Sequence, residues 1–302
     1  MTAPHGPAAG DRRPGRSPNP WPSRRVVAYA HQGGAFEAPS STLFAIRRAV
    51  DRGATGVELD VHATADGVLV VCHDRTVDRT TDGTGPIAGL RFEELACLDN
   101  AYWFVPGTDA ERGRPPADYC YRGRAPADPT FGIAPLAGVL DLLDDYPGVV
   151  LNLDIKSTAP VVAPYEQALA DLLHQRHYED RTIVASFVDS ATDAFRACAP
   201  DIATSAGSLA VASFWQAVHG GEDIEAVPFQ ALQVPYRTGD LVVVDEDLVG
   251  RAHQMGLAVH VWTVNDSDDM ARLVSLEVDG IMTDLPTTLV DLLNRLQVAY
   301  RS

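Results

Sequence analysis

Apolar positions recur along this chain in two rhythms, one of strands and one of helices. VVAYAHQGG (26–34) is a short apolar run that ends on a histidine and paired glycines, as a buried strand and its turn would. Behind it Leu43, Ile46, Ala49 and Val50 recur at helical spacing. Ser41 or Thr42 can cap that helix, and Gly53 ends it. The next stretch, VELDVHATADGVLVVCHD (57–74), alternates strictly. Val57, Leu59 and Val61 share one face of an extended strand; Glu58, Asp60 and His62 share the other. Asp66-Gly67 is a two-residue hairpin signal, so residues 69–72 fold back as an arm. A short helix follows at RFEELACLD. From residue 135 strands at 149–155, 182–187, 202–205, 231–234, 258–264 and 280–283 alternate with helices at 135–146, 161–174, 190–198, 209–219, 246–255, 268–276 and 289–300. Such alternation predicts an α/β fold with a parallel sheet. Setting the arm aside leaves eight strands, the number that closes a (β/α)8 TIM barrel. No GxGxxG follows a strand, which counts against a dinucleotide-binding open sheet.

Two stretches lack either rhythm. Residues 1–25 are rich in Pro, Gly and Arg and carry no apolar stripe, so a disordered arm is expected, with one domain over 26–302. The arm lacks the apolar centre of a secretory signal. Residues 100–132 have no clear period, and a stretch this long between the hairpin and the next helix reads as a small insertion or lid. It carries Arg112, Arg114, Arg122 and Arg124.

Charge narrows the partners. A net charge of -17 over 302 residues excludes nucleic acid, whose phosphates need a basic footprint. It also repels a phosphorylated substrate, unless a metal or local cations reverse the field at the site. The four cysteines match no zinc spacing, and in the absence of an export signal a reducing cytoplasm is the expected compartment. No apolar run reaches membrane-spanning length.

Barrel active sites lie at the C-terminal strand ends. Here those ends carry His31; Glu58, Asp60 and His62; His73; Asp154 and Lys156; Ser186; Trp262 and Asn265; and Thr283 with Asp284. Two carboxylates aimed at one point repel unless a cation or shared proton lies between them, and a hard divalent ion suits oxygen ligands. Lys156 is the only lysine in the chain, which suggests a position that needs a compact ammonium. The set suits metal-assisted acid–base chemistry on an anionic substrate. Asp74 and the acids of 78–82 read as turn-formers, and His174, His177, His219 and His253 as surface residues.

The succession HQGG, ELDVHATADGVLVVCHDRTVDRTTDGTG, LNLDIK, SF, VHVWTVND and VDGIMTDLP resembles the glycerophosphodiester phosphodiesterase family from about residue 26 to 286. The resemblance implies a TIM barrel with a small insertion and hydrolysis of a phosphodiester to an alcohol and a phosphomonoester. The implied substrates are glycerophosphodiesters, with lysophospholipids in the same class. It makes His31 and His73 the acid–base pair. Glu58, Asp60 and Asp154 would hold one divalent cation, Mg2+ or Ca2+, and Lys156 the phosphate, with Gln32 and Trp262 at the substrate. Three departures stand out. Gln32 replaces the arginine of HRG, Pro39-Ser40-Ser41-Thr42 replaces PENT, and Asp154 replaces the glutamate of E-x-K. One of the insertion arginines is expected to stand in for the missing cation. Two competing readings are an aldolase-like barrel with a Schiff-base Lys156 and a ligand-binding protein on the same fold with weakened activity.

Overall fold

Each apolar strand of the chain is followed by an amphipathic helix that covers it, and the units close on themselves. This is seen in a computed structural model that describes residues 19–23, 26–156 and 165–300. The strands are β1 Val27–His31, β2 Gly56–Ala63, β3 Leu69–Val71, β4 Val150–Ile155, β5 Thr182–Ala185, β6 Ala203–Thr204, β7 Ala231–Pro235, β8 Ala258–Trp262 and β9 Gly280–Thr283. All but β3 pair in parallel, in the order β6-β5-β4-β2-β1-β9-β8-β7. The remaining gap is bridged by Ser205 against Ala231, with the Gln230 amide donating to the Thr204 carbonyl at 2.9 Å. The result is a nearly closed barrel of eight parallel strands. The hairpin arm β3 runs antiparallel to β2, with His62 opposite Val70.

The covering helices are α1 Leu43–Asp51, α2 Leu136–Leu143, α3 Tyr165–Gln175, α4 Asp189–Cys198, α5 Ser208–Gly220, α6 Glu246–Gln254, α7 Ser267–Ser275 and α8 Pro286–Leu296. Strand parity decides what they cover. Val57, Leu59 and Val61 of β2 and Leu151, Leu153 and Ile155 of β4 point outward. They pack on Leu136, Val139, Leu140 and Leu143 of α2 and on Leu169 and Leu173 of α3. The alternate residues, Glu58, Asp60, Asn152 and Asp154, are left to face the barrel interior. α1 starts where its cap demands, the Thr42 hydroxyl accepting from the Ala45 amide at 3.1 Å.

Several boundaries differ from the periodicity. The last helix begins at Pro286, because a proline at its first turn forfeits no hydrogen bond, and ends at Gln297 with φ +57. β5 stops at Ala185, so Ser186 and Phe187 lie in the loop beyond it. The start expected for the helix at 161 lies outside the described residues. So does most of the expected arm, but residues 19–23 correct it. Trp21 is 2% exposed and set edge-on to His260 at the bottom of the barrel, and Asn19 donates to the Gln230 and Gly256 carbonyls. One indole buries enough apolar area to hold a short segment that has no stripe of its own.

Between β3 and α2 the chain makes an excursion over 72–135, built of single turns and a two-stranded ribbon, Phe104–Val105 with Asp109–Ala110. It is seated on α1 through Phe44, which stacks on Phe131 at 4.5 Å and packs beside Tyr121 at 5.1 Å. Asn100 ties it down further, donating to the Ser40 carbonyl and accepting from the Thr80 hydroxyl.

The floor of the barrel is filled by Tyr29 and His260, whose rings lie 5.2 Å apart. They fit because glycines face them. A Cβ at Gly56 would come within 2.4 Å of the Tyr29 ring, and one at Gly280 within 2.9 Å of His260. Gly56→Ala is therefore expected to overpack the floor and lower stability by about 1–3 kcal/mol. Urea unfolding monitored by tryptophan fluorescence reads the change as a lowered midpoint.

Candidate active site

Register stacks the chemistry in two layers at the C-terminal end of the barrel. His31 of β1 pairs with Glu58 of β2, and Glu58 with Asn152 of β4. One layer up, Asp60 pairs with Asp154, and Asp154 with Ala185 of β5. Directly above them opens a cavity of about 400 Å3. Its polar wall is His31, Glu58, Asp60, His73, Asp154 and Lys156; its other wall is apolar, with Ala206, Val211, Pro235, Phe187 and Trp262. Phe187 and Trp262 meet edge to face at 5.3 Å. Across the interior the Gln233 amide donates to Asn152 Oδ1 at 2.6 Å and braces β4 against β7.

The three carboxylates are almost wholly removed from water. Burial pushes the Glu58 carboxyl up, and neighbouring Asp60 pushes it further. Burial also raises Asp154, against the pull of Lys156. The lysine ammonium lies between the two upper acids, 2.7 Å from Asp60 Oδ1 and 2.9 Å from Asp154 Oδ2. Burial lowers its pKa, but these carboxylates more than offset that, and the net shift is upward. A Schiff-base nucleophile needs an unpaired amine in an apolar pocket, and an ammonium paired to two carboxylates counts against the aldolase-like reading of Lys156. The far oxygens, Asp60 Oδ2 and Asp154 Oδ1, are buried and have no partner. Among the described residues no group of three His, Cys, Asp or Glu side chains is clustered closely enough to hold a metal as it stands. The donor set nonetheless fits a hard cation. Glu58 contributes a third carboxylate, and the ammonium now between the other two is carried on a flexible stem that can withdraw.

Both histidines are oriented by carboxylates. His31 Nδ1 is 2.6 Å from Asp284 Oδ1, and Asn265 donates to the other Asp284 oxygen at 2.7 Å. Burial lowers the His31 pKa, but Glu58, Asp284 and Asp60 more than offset this and raise it to about 9. His73 Nδ1 is 2.7 Å from Asp74 Oδ1, and Arg79 Nε donates to Asp74 Oδ2 at 2.7 Å. The bond from His73, then Arg79, holds the Asp74 carboxyl at about 2 against burial. An ionised Asp74 can only accept, so His73 Nδ1 carries hydrogen and Nε2 is the nitrogen Asp74 leaves unengaged.

The other expected residues fall as follows. Gln32 is buried beneath the cavity wall with φ +52 and its amide nitrogen 3.2 Å from His31 Nε2. Its Oε1 has no partner, and turning the amide over would present that oxygen to a protonated ring. Ser41 likewise has φ +56 and a buried, unpartnered hydroxyl; its amide donates to the Gln32 carbonyl. Trp262 lines the cavity. His62 does not, its Nε2 lying 3.5 Å from the His73 carbonyl, and burial lowers its pKa. The arginine expectation is overturned, since none of the four reaches the cavity. Arg122 is packed among Tyr102, Trp103 and Tyr119, and Arg112 on Trp103; Arg124 faces Phe131, and Arg114 pairs with Glu111. The insertion's aromatics capture its own cations. Asp284, to which residue type gave no role, and Asp74, expected to be a turn-former, are the residues that orient His31 and His73. Their signal was placement, one at the end of β9 and the other adjacent to His73.

Residues 31–288 match the model of the glycerophosphoryl diester phosphodiesterase family. The chain belongs to that family. It is 31% identical over 274 residues to a glycerophosphodiester phosphodiesterase of Caldanaerobacter subterraneus subsp. tengcongensis, covering 90% of this chain and 99% of that one. A stretch of 80 residues, 26% of this chain and 24% of the relative, is 55% identical to human glycerophosphodiester phosphodiesterase 1. Among solved structures, a phosphodiesterase of Oleispira antarctica in complex with the product sn-glycerol-3-phosphate has a TM-score of 0.70 at 24% identity, covering 91% of this chain and 99% of its own. The glycerophosphoryl diester phosphodiesterase domain of a Mycobacterium tuberculosis protein has a TM-score of 0.73 at 21% identity, over 90% and 99%. These two show the shared fold.

The Asp60–Lys156–Asp154 arrangement makes a stability prediction. Lys156→Met leaves two buried carboxylates facing each other and should destabilise the metal-free protein by about 3 kcal/mol, the scale on which breaking a buried ion pair acts. Lys156→Arg, which keeps the charge, should lose less. Urea unfolding in the presence of EDTA measures both.

Proposed function

We propose that this chain hydrolyses glycerophosphodiesters to an alcohol and a phosphomonoester, with metal dependence and with His31 and His73 as the acid–base pair. One observation carries the reading. Two imidazoles, each oriented at Nδ1 by its own aspartate, line one cavity together with three carboxylates and the chain's only lysine. The named activity of the Caldanaerobacter relative and the glycerol phosphate bound to the Oleispira phosphodiesterase support it.

One divalent cation, Mg2+ or Ca2+, held by Glu58, Asp60 and Asp154, would supply neutralisation of charge on a phosphoryl oxygen when bound. The residues of the chain do the rest. One imidazole takes at Nε2 the proton of the attacking water as its oxygen bonds to phosphorus. The other gives a proton to the alkoxide as the ester bond breaks. If a substrate hydroxyl attacks first, the product is a cyclic diester, which water then opens with the two rings exchanging roles. Asp284 and Asp74 stabilise the charge each ring carries in turn. Lys156, freed from the carboxylates, is within reach of the phosphate. Trp262 and Phe187 set the apolar side against the alcohol. That wall continues to an exposed rim at Phe187 (53%), Val188 (40%) and Leu209 (74%), which supports lysophospholipids among the substrates. Lys156 and Trp262 are the substrate-side residues of this reading, and Gln32, buried beside His31 Nε2, acts at one remove from the cavity. Among the described residues no helix is long and apolar enough to cross a membrane. The four unpaired cysteines support a cytoplasmic setting.

Turnover of glycerophosphocholine should vanish in EDTA and return with Mg2+ or Ca2+. His31→Ala and His73→Ala should each lower kcat by about 10²- to 10⁴-fold. Turnover that persists in EDTA removes the metal from the scheme, and an unimpaired variant removes that histidine. A folded protein that turns over no diester under any of these conditions has the binding role instead. Lysophosphatidylcholine in parallel reads the apolar wall, with Leu209→Glu expected to impair that substrate selectively.

A further inference from the structure

His73 is the less protected of the two histidines. Its side chain is 42% exposed in the turn after β3, so packing alone does not hold its ring. Hydrogen bonds do, and they continue past Asp74. Arg79, which donates to Asp74 through Nε, also pairs through its Nη1 with Asp109 of the insertion ribbon. Asp109 has φ +62, a left-handed conformation that glycine adopts freely and that aspartate and asparagine tolerate better than most residues. Its carboxylate is largely buried against Arg79.

The same ribbon reaches the other histidine. At its turn the Gly107 amide donates to the Phe36 carbonyl at 2.8 Å, and the Phe36 amide donates to the Asp284 carbonyl at 3.2 Å. Asp284 is the residue that holds His31. The base of the ribbon is itself anchored, the Trp103 indole donating to the Thr81 carbonyl and Arg112, stacked on Trp103, donating to that of Asp78. The seven-residue ribbon 104–110 thus bears on the supports of both rings, through Asp109 on one side and Gly107 on the other.

We infer that the ribbon 104–110 is a clamp that sets the two imidazoles relative to one another, with Asp109 as a positioning residue that fixes the His73 ring through Arg79 and Asp74. This rests on the reading of His31 and His73 as the acid–base pair. A purely architectural Asp109–Arg79 pair would hold the ribbon in place and leave the ring indifferent to the carboxylate.

Asp109→Gly separates these. It suits the left-handed backbone and removes only the carboxylate. Asp109→Asn tolerates the same backbone and keeps an acceptor. For glycerophosphocholine, kcat of Asp109→Gly should fall on the order of tenfold, the lower end of what outer supports of an active-site group contribute. KM should stay within about twofold, because the residue lies outside the cavity, and Asp109→Asn should recover part of kcat. Nitrogen-15 NMR of the His73 ring supplies a readout independent of turnover. The wild-type protein should show a hydrogen-bonded Nδ1 proton, lost in Asp109→Gly and retained in Asp109→Asn. Unchanged kcat in Asp109→Gly overturns the proposal, and so does a fall in kcat with the His73 signals intact. A lowered unfolding midpoint with both unchanged assigns the pair to architecture alone. If the wild-type protein hydrolyses no diester, the function proposed above fails, and the ring signals still decide whether the clamp exists.

Discussion

Three carboxylates buried at one end of a barrel repel one another, and the rest of the site is arranged around that repulsion. Glu58, Asp60 and Asp154 are brought together by strand register, so backbone hydrogen bonding enforces their proximity whatever their charges prefer. Lys156 neutralises part of the charge from between the upper two, and His31 lies against the lower one, 3.7 Å from Glu58 Oε2. Buried charge tolerated in this way is a mark of a functional site. A protein with net charge -17 that is to handle an anionic diester needs a local reversal of its field.

The histidines extend the same logic outward. Each is held at Nδ1 by an aspartate, and each aspartate is held in turn, Asp284 by Asn265 and Asp74 by Arg79. These second supports come from different parts of the chain. Asn265 follows β8, so the barrel itself aims His31. Arg79 pairs with Asp109, so the chain of contacts behind His73 runs into a segment that contributes no strand to the barrel. The insertion is a brace more than a source of cations, because its arginines are spent on its own aromatic rings and carbonyls.

The substitutions at Gln32 and Ser41 belong to the same picture. Both residues adopt left-handed backbone, both are buried, and each leaves one oxygen without a partner. A neutral amide beside His31 can donate to the unprotonated ring or, turned over, accept from the protonated one. An arginine, which has donors alone, would favour only the former. The change thus moves a cation away from a histidine whose surroundings are already strongly acidic.

Much of this was legible in the residues alone. Period-two alternation put Glu58, Asp60 and Asp154 on interior faces and Val57, Leu59 and Val61 under the helices, and the strand–helix count implied the barrel. Those are local properties, because an extended strand alternates its faces whatever it packs against. Helix ends and short strands were less legible, since Pro286 and the truncated β5 answer to the neighbours they meet. Pairings were illegible. Asp284 lies 253 residues from His31, and Asp109 lies 30 from Arg79, and nothing in periodicity links such distant positions. Trp21 looked like part of a featureless arm until the barrel floor gave it a surface to cover. The chain by itself determined which residues face inward and in what order they arrive at the mouth. Asp74 already stood next to His73 in the chain, but only closure of the barrel brought Asp284 to His31, because that pairing depends on distances through space between segments the sequence keeps far apart.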